Sequence, residues 1–332
     1  MSDYTFRRAL RGDGDAVIDF LNRNWGSRHP LVNLPDYFTY YYRNGDPQAE
    51  QLNFLLCLAG DAIAAVCGYI PASQSGEDIW ISIWCADRCA KGSGLELMSR
   101  VLELTGAKRM SCNNIRPNTI PFYEFLGYTG ARMGHFYRLA PRPDYRVARV
   151  KTPVRLPVGG SGALRPLADA AALRAAFAPP ANAVPHKDLW YLTRRYFAYP
   201  RQKYLVYGGF LGGQCPLLFC LRRVEVCGTA VLRLVDIVGD RAQLPQFGAA
   251  LDALLTQQDA EYIDCYCAGV PAALMAAAGF CERPEQSGEV LIPHYLTPPL
   301  FENVEYYYFT SVTEDFAMFR ADGDQDRPNL QC

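Results

Sequence analysis

The chain carries almost no net charge: 33 lysines and arginines stand against 34 aspartates and glutamates, a formal −1. That excludes whole-surface attraction to nucleic acid or to an anionic membrane, and neither partner is expected. CxxC pairs are missing, and the four histidines (His29, His135, His186, His294) have no metal-ligand spacing, so no metal site is expected. Long apolar runs are missing too. Tyr204 to Leu221 is uncharged, but its glycines and proline read as a hairpin turning at Gly212-Gly213. Cys265 to Cys281 reads as a strand end, a loop and a short Ala-rich helix. Neither is a continuous span of about 20 apolar residues. The start, MSDYTFRRALRGDGD, has no apolar h-region, so a cytoplasmic protein is expected. In a reducing compartment the twelve cysteines read as small hydrophobes rather than disulfides. Cys57, Cys67, Cys85, Cys112, Cys220, Cys227, Cys265 and Cys267 all fall in apolar strands.

What is present is ordinary globular composition, 50% hydrophobic and 20% charged, in 332 residues, enough for about two domains. An internal repeat organises them, at an offset of about 155 residues. TFRRALRGDGDAVIDFL (5–21) parallels ALRPLADAAALRAAF (163–177): a strand, an Asp able to cap a helix, and an apolar helical face. The aromatic helix at Asp36–Arg43 parallels Asp188–Arg195. The hairpin around Gly60-Asp61 parallels Tyr204–Leu221. Ile79–Cys85 with a long helix over Gly94–Thr105 parallels Val231–Val238 with Leu244–Thr256. Arg109–Cys112 with Pro121–Tyr128 parallels Tyr262–Cys267 with Pro271–Phe280. Each copy reads β-α-α-β-β-β-α-β-α-β, an α/β (α+β) domain with a mixed, largely antiparallel sheet flanked by helices. The expected division is a catalytic domain over 1–145, a Pro- and Gly-rich linker over 146–162, and a degenerate second copy over 163–332.

The chemistry concentrates in the first copy. After the apolar strand ending IWISIWCA comes Asp87-Arg88-Cys89-Ala90-Lys91-Gly92-Ser93-Gly94, and then a helix begins. Glycines let backbone N–H groups approach a phosphate, the helix dipole favours an anion there, and Arg88 and Lys91 add full charges. The spacing is neither a Walker loop nor a GxGxxG loop. A second feature is Asn113-Asn114-Ile-Arg-Pro-Asn118-Thr-Ile-Pro-Phe122-Tyr123-Glu-Phe-Leu-Gly127-Tyr128.

On these two features the first copy resembles the GNAT N-acetyltransferase superfamily. The family's acyl-CoA loop, Arg/Gln-x-x-Gly-x-Gly/Ala, falls on Gly92 and Gly94, with Cys89 at its first position and Arg88 adjacent. The family's Asn…Phe-Tyr-x-x-x-Gly-Phe motif falls on Asn118, Phe122, Tyr123, Gly127 and Tyr128. The resemblance implies acetyl-CoA as acyl donor, with pyrophosphate on Arg88, Cys89, Ala90, Lys91, Gly92, Ser93 and Gly94. It also implies pantetheine along the backbone of Ile83, Trp84 and Cys85, where amides polarise the carbonyl. Tyr123 is the implied acid for the departing thiolate. Three residues are candidates for the base: Ser82, through a bound water, Asp78, and His29, whose ordinary pKa suits the task best.

The second copy is expected to bind no CoA, because its junction reads Asp236-Ile-Val-Gly239-Asp240, with a carboxylate where a phosphate would sit. The counterpart of Tyr123 there is apolar, Leu274 or its neighbour. The aromatic runs Tyr37–Tyr42 and Trp190–Tyr199 read as packing faces that also suit stacking on a sugar or base. The tail Asp322-Gly-Asp-Gln-Asp-Arg reads as solvated; its resemblance to a calcium loop fails because position 12 would lie beyond the chain. The expected reaction is acyl transfer to a small primary amine, with an amino sugar or sugar nucleotide as first guess and an acceptor site between the copies. The alternatives are an aminoacyl transferase similar to the Fem peptidoglycan enzymes, and a non-catalytic acyl-CoA-binding scaffold, which Cys89 favours.

Overall fold

The fold is described from a computed structural model covering residues 4–25, 27–285 and 288–330. The first half runs β1 (Tyr4–Leu10), α1 (Gly14–Asn24), α2 (Pro30–Asn33), α3 (Pro35–Tyr42), β2 (Gln51–Ala59), β3 (Ala62–Pro71), β4 (Asp78–Ala86), α4 (Ser93–Ser99), α5 (Val101–Thr105), β5 (Arg109–Asn113), α6 (Ile120–Phe125), β6 (Thr129–Arg132) and β7 (Gly134–Leu139). After a short β8 (Arg149–Val150), the second half runs β9 (Ala163–Pro166), α7 (Ala170–Ala176), α8 (Leu189–Phe197), β10 (Leu205–Leu211), β11 (Gln214–Val226), β12 (Thr229–Gly239), α9 (Gly248–Gln257), β13 (Ala260–Ala268), α10 (Ala272–Ala277), β14 (Cys281–Glu282), β15 (Val290–Leu291), β16 (Tyr307–Thr310) and β17 (Met318–Phe319).

Local chemistry sets these elements. Asp169 and Asp188 cap α7 and α8, each carboxylate accepting an N–H of the first turn at 2.8 Å. Helix α1 turns Val17, Phe20 and Leu21 inward. The helix expected over Gly94–Thr105 breaks at Arg100, whose N–H donates to Leu97 O three residues back, so α4 and α5 are separate.

The strands form two large sheets of the same order. The first is β1-β2-β3-β4-β5-β16-β6 and the second is β9-β10-β11-β12-β13-β7-β14. Neighbours are antiparallel except β4/β5 and β12/β13. The sixth place in each sheet is filled by a strand of the other half: β16 lies between β5 and β6, and β7 pairs with β13 over Gly134 to Leu139. The sheets therefore do not respect a division at 145/163. The reason is reciprocal pairing: each half leaves a place beside its fifth strand that its partner's strand fills.

The segment between the halves is also tied down. β8 pairs with β15, and the buried Glu261 carboxylate accepts the amide N–H groups of Arg146, Val147 and Ala148 at 2.7–2.8 Å. A continuous core crosses from one half to the other, and the aromatic runs lie in it. The hydroxyls of Tyr41 and Tyr199 are 2.7 Å apart, and the Arg194 guanidinium donates to Tyr40 O at 2.6 Å. These rings join α3 to α8.

The tail is not solvated as its composition suggests. Asp322, Asp324 and Asp326 are each 4% exposed or less. Asp322 meets the buried ammonium of Lys187 at 2.6 Å, and Lys187 also meets Asp236 at 2.7 Å. Asp322 and Asp326 are drawn in because cations of the body, Lys187 and Arg222, pair with them, while Asp324 pairs within the tail with Arg327. Among the described cysteines, Cys89 and Cys227 depart from the expectation of burial: both are exposed, Cys227 in the turn before β12 at φ 52°.

Candidate active site between the fourth and fifth strands

Strands β4 and β5 pair only over Asp78, Ile79 and Trp80, and then diverge. On the other side β4 stays paired with β3, but the register slips: Cys67 faces Trp84 while Tyr69 faces Ile81, leaving Gly68 opposite both Ser82 and Ile83. This bulge re-aims the strand. A Cβ on Gly68 would come within 2.9 Å of Phe54 and 3.0 Å of Ser82 Oγ, so only glycine fits against it. The backbone of residues 81–86 thus faces the gap without a strand partner on that side.

At the mouth of the gap, Arg88, Cys89, Lys91 and Gly92 are exposed, Ala90 is half-buried, and Ser93 and Gly94 are buried at the start of α4. Gly92 adopts φ +85°, with nothing within 4 Å of where a side chain would begin. Ser93 Oγ donates to Ala90 O at 2.7 Å and fixes the turn. The Trp84 indole donates to Gly94 O at 3.0 Å, and Ala86 closes on Gly94 from below. The Asp87 carboxylate takes the Cys89 N–H at 2.7 Å, so that amide is committed. The Ser93 N–H is spent on Ala90 O and the Glu96 N–H on Gly92 O, while the amides of Lys91, Gly92, Gly94 and Leu95 stay open to a ligand. Together with two exposed cations, this backbone fits a pyrophosphate.

Tyr123 lies at the same gap. Its ring stacks on Phe309 of the exchanged β16, with centroids 3.9 Å apart, and Trp84 sits 6.1 Å away on the other side. It is 5% exposed, and burial raises its phenol well above the ordinary value, holding it protonated. Asn118 is exposed in the 3-10 turn before α6.

The three base candidates do not converge. Asp78 lies at the far end of β4, where Arg109 grips both of its oxygens and the His186 N–H donates at 2.8 Å; its lone pairs are spent on structure. His29 caps α2: its Nδ1 accepts the Leu31 N–H at 3.3 Å, so the ring proton sits on Nε2 and no lone pair is left for a base. Burial, then Arg327, lowers its pKa to about 4. Ser82 borders the gap and pairs with the Tyr42 hydroxyl at 3.1 Å.

The corresponding gap of the second sheet is closed. β12 and β13 pair over Ala230 to Arg233 and then diverge, but β17 pairs with β13 at Cys267 and Ala268, and Ala321 N–H donates to Val235 O at 2.9 Å. At Gly239 a Cβ would lie 2.1 Å from Pro216 O, so the backbone there is packed rather than presented. The Asp240 carboxylate caps Ala242 N–H.

A second group of residues was not found from the sequence. Between the halves lies a cavity of about 480 Å³, bordered by His29 and Asn114 of the first half and by Arg222, Arg233, His294, Arg320 and Arg327. Asp326 Oδ1 accepts from Arg222 at 2.9 Å and Arg320 at 3.0 Å. Arg320 also donates to His294 Nδ1 at 2.8 Å. The available signal was charge in otherwise apolar strands: Arg233 interrupts Val-Leu-Arg-Leu-Val yet is 2% exposed.

No protein-family model matches the chain, and no curated protein matches it by sequence. Solved structures do match. A GCN5-related N-acetyltransferase from Anabaena variabilis is similar over 92% of this chain and 72% of its own, at 9% identity and a TM-score of 0.53. A conserved protein of unknown function from Enterococcus faecalis, described as a probable N-acyltransferase, is similar over 94% of this chain and 74% of its own, at 11% identity and a TM-score of 0.52. Identity at this level speaks to architecture. With the strand order, the bulged fourth strand and the gap beside it, the chain carries the fold of the GCN5-related N-acetyltransferases.

Proposed function

We propose that the protein is an N-acyltransferase that moves an acetyl or related acyl group from acyl-CoA to a small primary amine. The observation that carries this reading is the open, bulged gap of the first sheet, with Gly92 and Tyr123 at its mouth. The donor supplies an activated thioester. The chain's part is to bind and orient it. Amides of Lys91 and Gly92, with the side chains of Arg88 and Lys91, hold the pyrophosphate. The backbone of Ile83, Trp84 and Cys85, without a strand partner on the gap side, runs along the pantetheine, and an N–H there polarises the carbonyl. Tyr123, held protonated by burial, donates a hydrogen bond to the departing sulfur and passes it the proton as the thioester C–S bond breaks; the same buried setting raises the thiol's pKa alongside the phenol's, which keeps the transfer balanced. Ser82, bonded to Tyr42, positions a water on the acceptor side in place of a side-chain base.

The second half binds no CoA in this reading. It supplies Phe309 against Tyr123 and the far wall of the central cavity, which receives the amine. An aminoacyl transferase has no feature here that favours it over the CoA reading. The test is free-thiol release from acetyl-CoA over a panel of primary amines, amino sugars included. Saturable turnover with any of them supports the proposal, and none across the panel, with CoA still bound, leaves a binding module.

A further inference from the structure

The cavity between the halves has an unusual charge balance. Among the described residues, four guanidiniums line it, and a single carboxylate, Asp326, does so. Counting partners behind the wall, Arg327 has Asp324 at 2.8 Å and Arg233 has Asp264 at 3.3 Å, while Arg222 and Arg320 share Asp326. Among the described residues, four cations therefore meet three anions. Both cavity histidines are held neutral: burial, then the fields of Arg320 and Arg233, keep His294 well below the ordinary imidazole range. Neither histidine adds charge, and neither offsets it.

The donors are also incompletely used. The Nε groups of Arg222 and Arg233 are buried without a hydrogen-bond partner, and Arg233 is 98% buried by its 2% exposure. A buried donor left unmade costs free energy, and a buried cation without its anion costs more. Planar guanidiniums converging on one space suit the oxygens of a carboxylate or phosphate, which accept two N–H groups from each fork. The volume, about 480 Å³, is that of a small-molecule site rather than of a single ion.

We propose that this cavity binds the anionic group of the acceptor, so that the substrate is a small amine also bearing a carboxylate or phosphate, held by Arg222, Arg233 and Arg320. This rests on the acyl-transfer reading for the word acceptor, but the anion site itself does not. Asp326 occupies the place of a competing internal anion. It pairs two of the arginines and lowers the affinity that they offer a ligand.

That internal competition gives a test with opposite signs. Calorimetry on the full chain, without acetyl-CoA, uses inorganic phosphate in one arm and succinate in the other. Saturable binding of at least one is expected. Arg222→Gln should weaken it by about tenfold, the size of one lost charge-assisted pair. Asp326→Asn should tighten it several-fold. If the arginines serve only as internal ion-pair partners, neither anion binds and Asp326→Asn gains nothing; either result overturns the proposal. Should Asp326→Asn fail to fold, wild type against Arg222→Gln decides on the first criterion alone. The arm that binds more tightly tells phosphate-bearing from carboxylate-bearing acceptors. Anion binding without any acetyl-CoA turnover leaves this site standing and sinks the acyltransferase. Turnover that is as fast with neutral amines as with anionic ones does the reverse.

Discussion

The two sheets have one strand order and two opposite fates for the gap beside the fourth strand. In the first, residues 81–86 of β4 have no strand partner on the β5 side, Gly92 stands clear of neighbours, and the Tyr123 ring lies 6.1 Å from Trp84 beside the gap. In the second, β17 lies along β13, Gly239 is pressed against Pro216 O, and α10 offers only apolar side chains. The difference teaches that a gap of this kind is a structural liability unless something fills it. The second half fills it with the chain itself. The first leaves it unpaired, where the proposed acyl donor would lie.

The sharpest way to break the comparison is at the hydroxyl. Tyr123→Phe keeps the ring on Phe309 and removes only the proton, so turnover should fall by about 10²–10⁴ while CoA affinity stays near wild type. Single-turnover kinetics beside a CoA titration reads both; undiminished turnover would return Tyr123 to the core. The glycines come next, as a pair. Gly92→Val puts a branched side chain into open space at a left-handed φ, so CoA binding should vanish from calorimetry while the fold survives at a cost of about 1–3 kcal/mol. Gly239→Val meets backbone oxygen instead and should cost about 3 kcal/mol or more in denaturant unfolding. CoA should still bind that variant wherever it is folded, at one site per chain. Two sites, or equal behaviour of the two glycine variants, would erase the distinction between the gaps.

The smallest effect concerns acid. His135, fully buried against Tyr266, has its pKa lowered by burial to about 4, and His29 is lowered likewise. A histidine lowered in the folded state binds its proton first in the unfolded chain, so stability is lost as pH falls from about 6.5 toward 4. Asp322 opposes this: burial raises it to about 6, so it favours the folded state as pH falls through 6. The histidines outnumber it, and His135 alone should cost on the order of 2 kcal/mol by pH 4.5. Unfolding curves at pH 7 and 4.5 test this, and His135→Gln should flatten the difference.

Much of this was legible in the sequence because it is local. Asp169 and Asp188 announce helix starts, Gly212-Gly213 a hairpin, and the strand before Arg88 its loop and helix; each signal lies within a few residues of the feature it specifies. The repeat extended these signals to a fold. What could not be read is pairing over distance. Nothing in Gly134–Leu139 or Tyr307–Thr310 says which sheet it joins, because a short apolar strand fits either edge. The tail misled for a related reason: Asp322 and Asp326 look solvated until Lys187 and Arg222 are brought to them from far along the chain. Asp78 looked available as a base only because Arg109 is a strand away.

The exchange of β7 and β16 also sets a clock during synthesis. The first sheet lacks its sixth strand until Tyr307–Thr310 have left the ribosome, 178 residues after Arg132. At 5–20 residues per second, that is a wait of roughly 9–35 s. Throughout it, β5 and β6 present unpaired edges, and the stacking partner of Tyr123 does not yet exist. The nascent first half therefore carries an unfilled place in its sheet until β16 emerges, and Tyr123 gains its stacking partner only then.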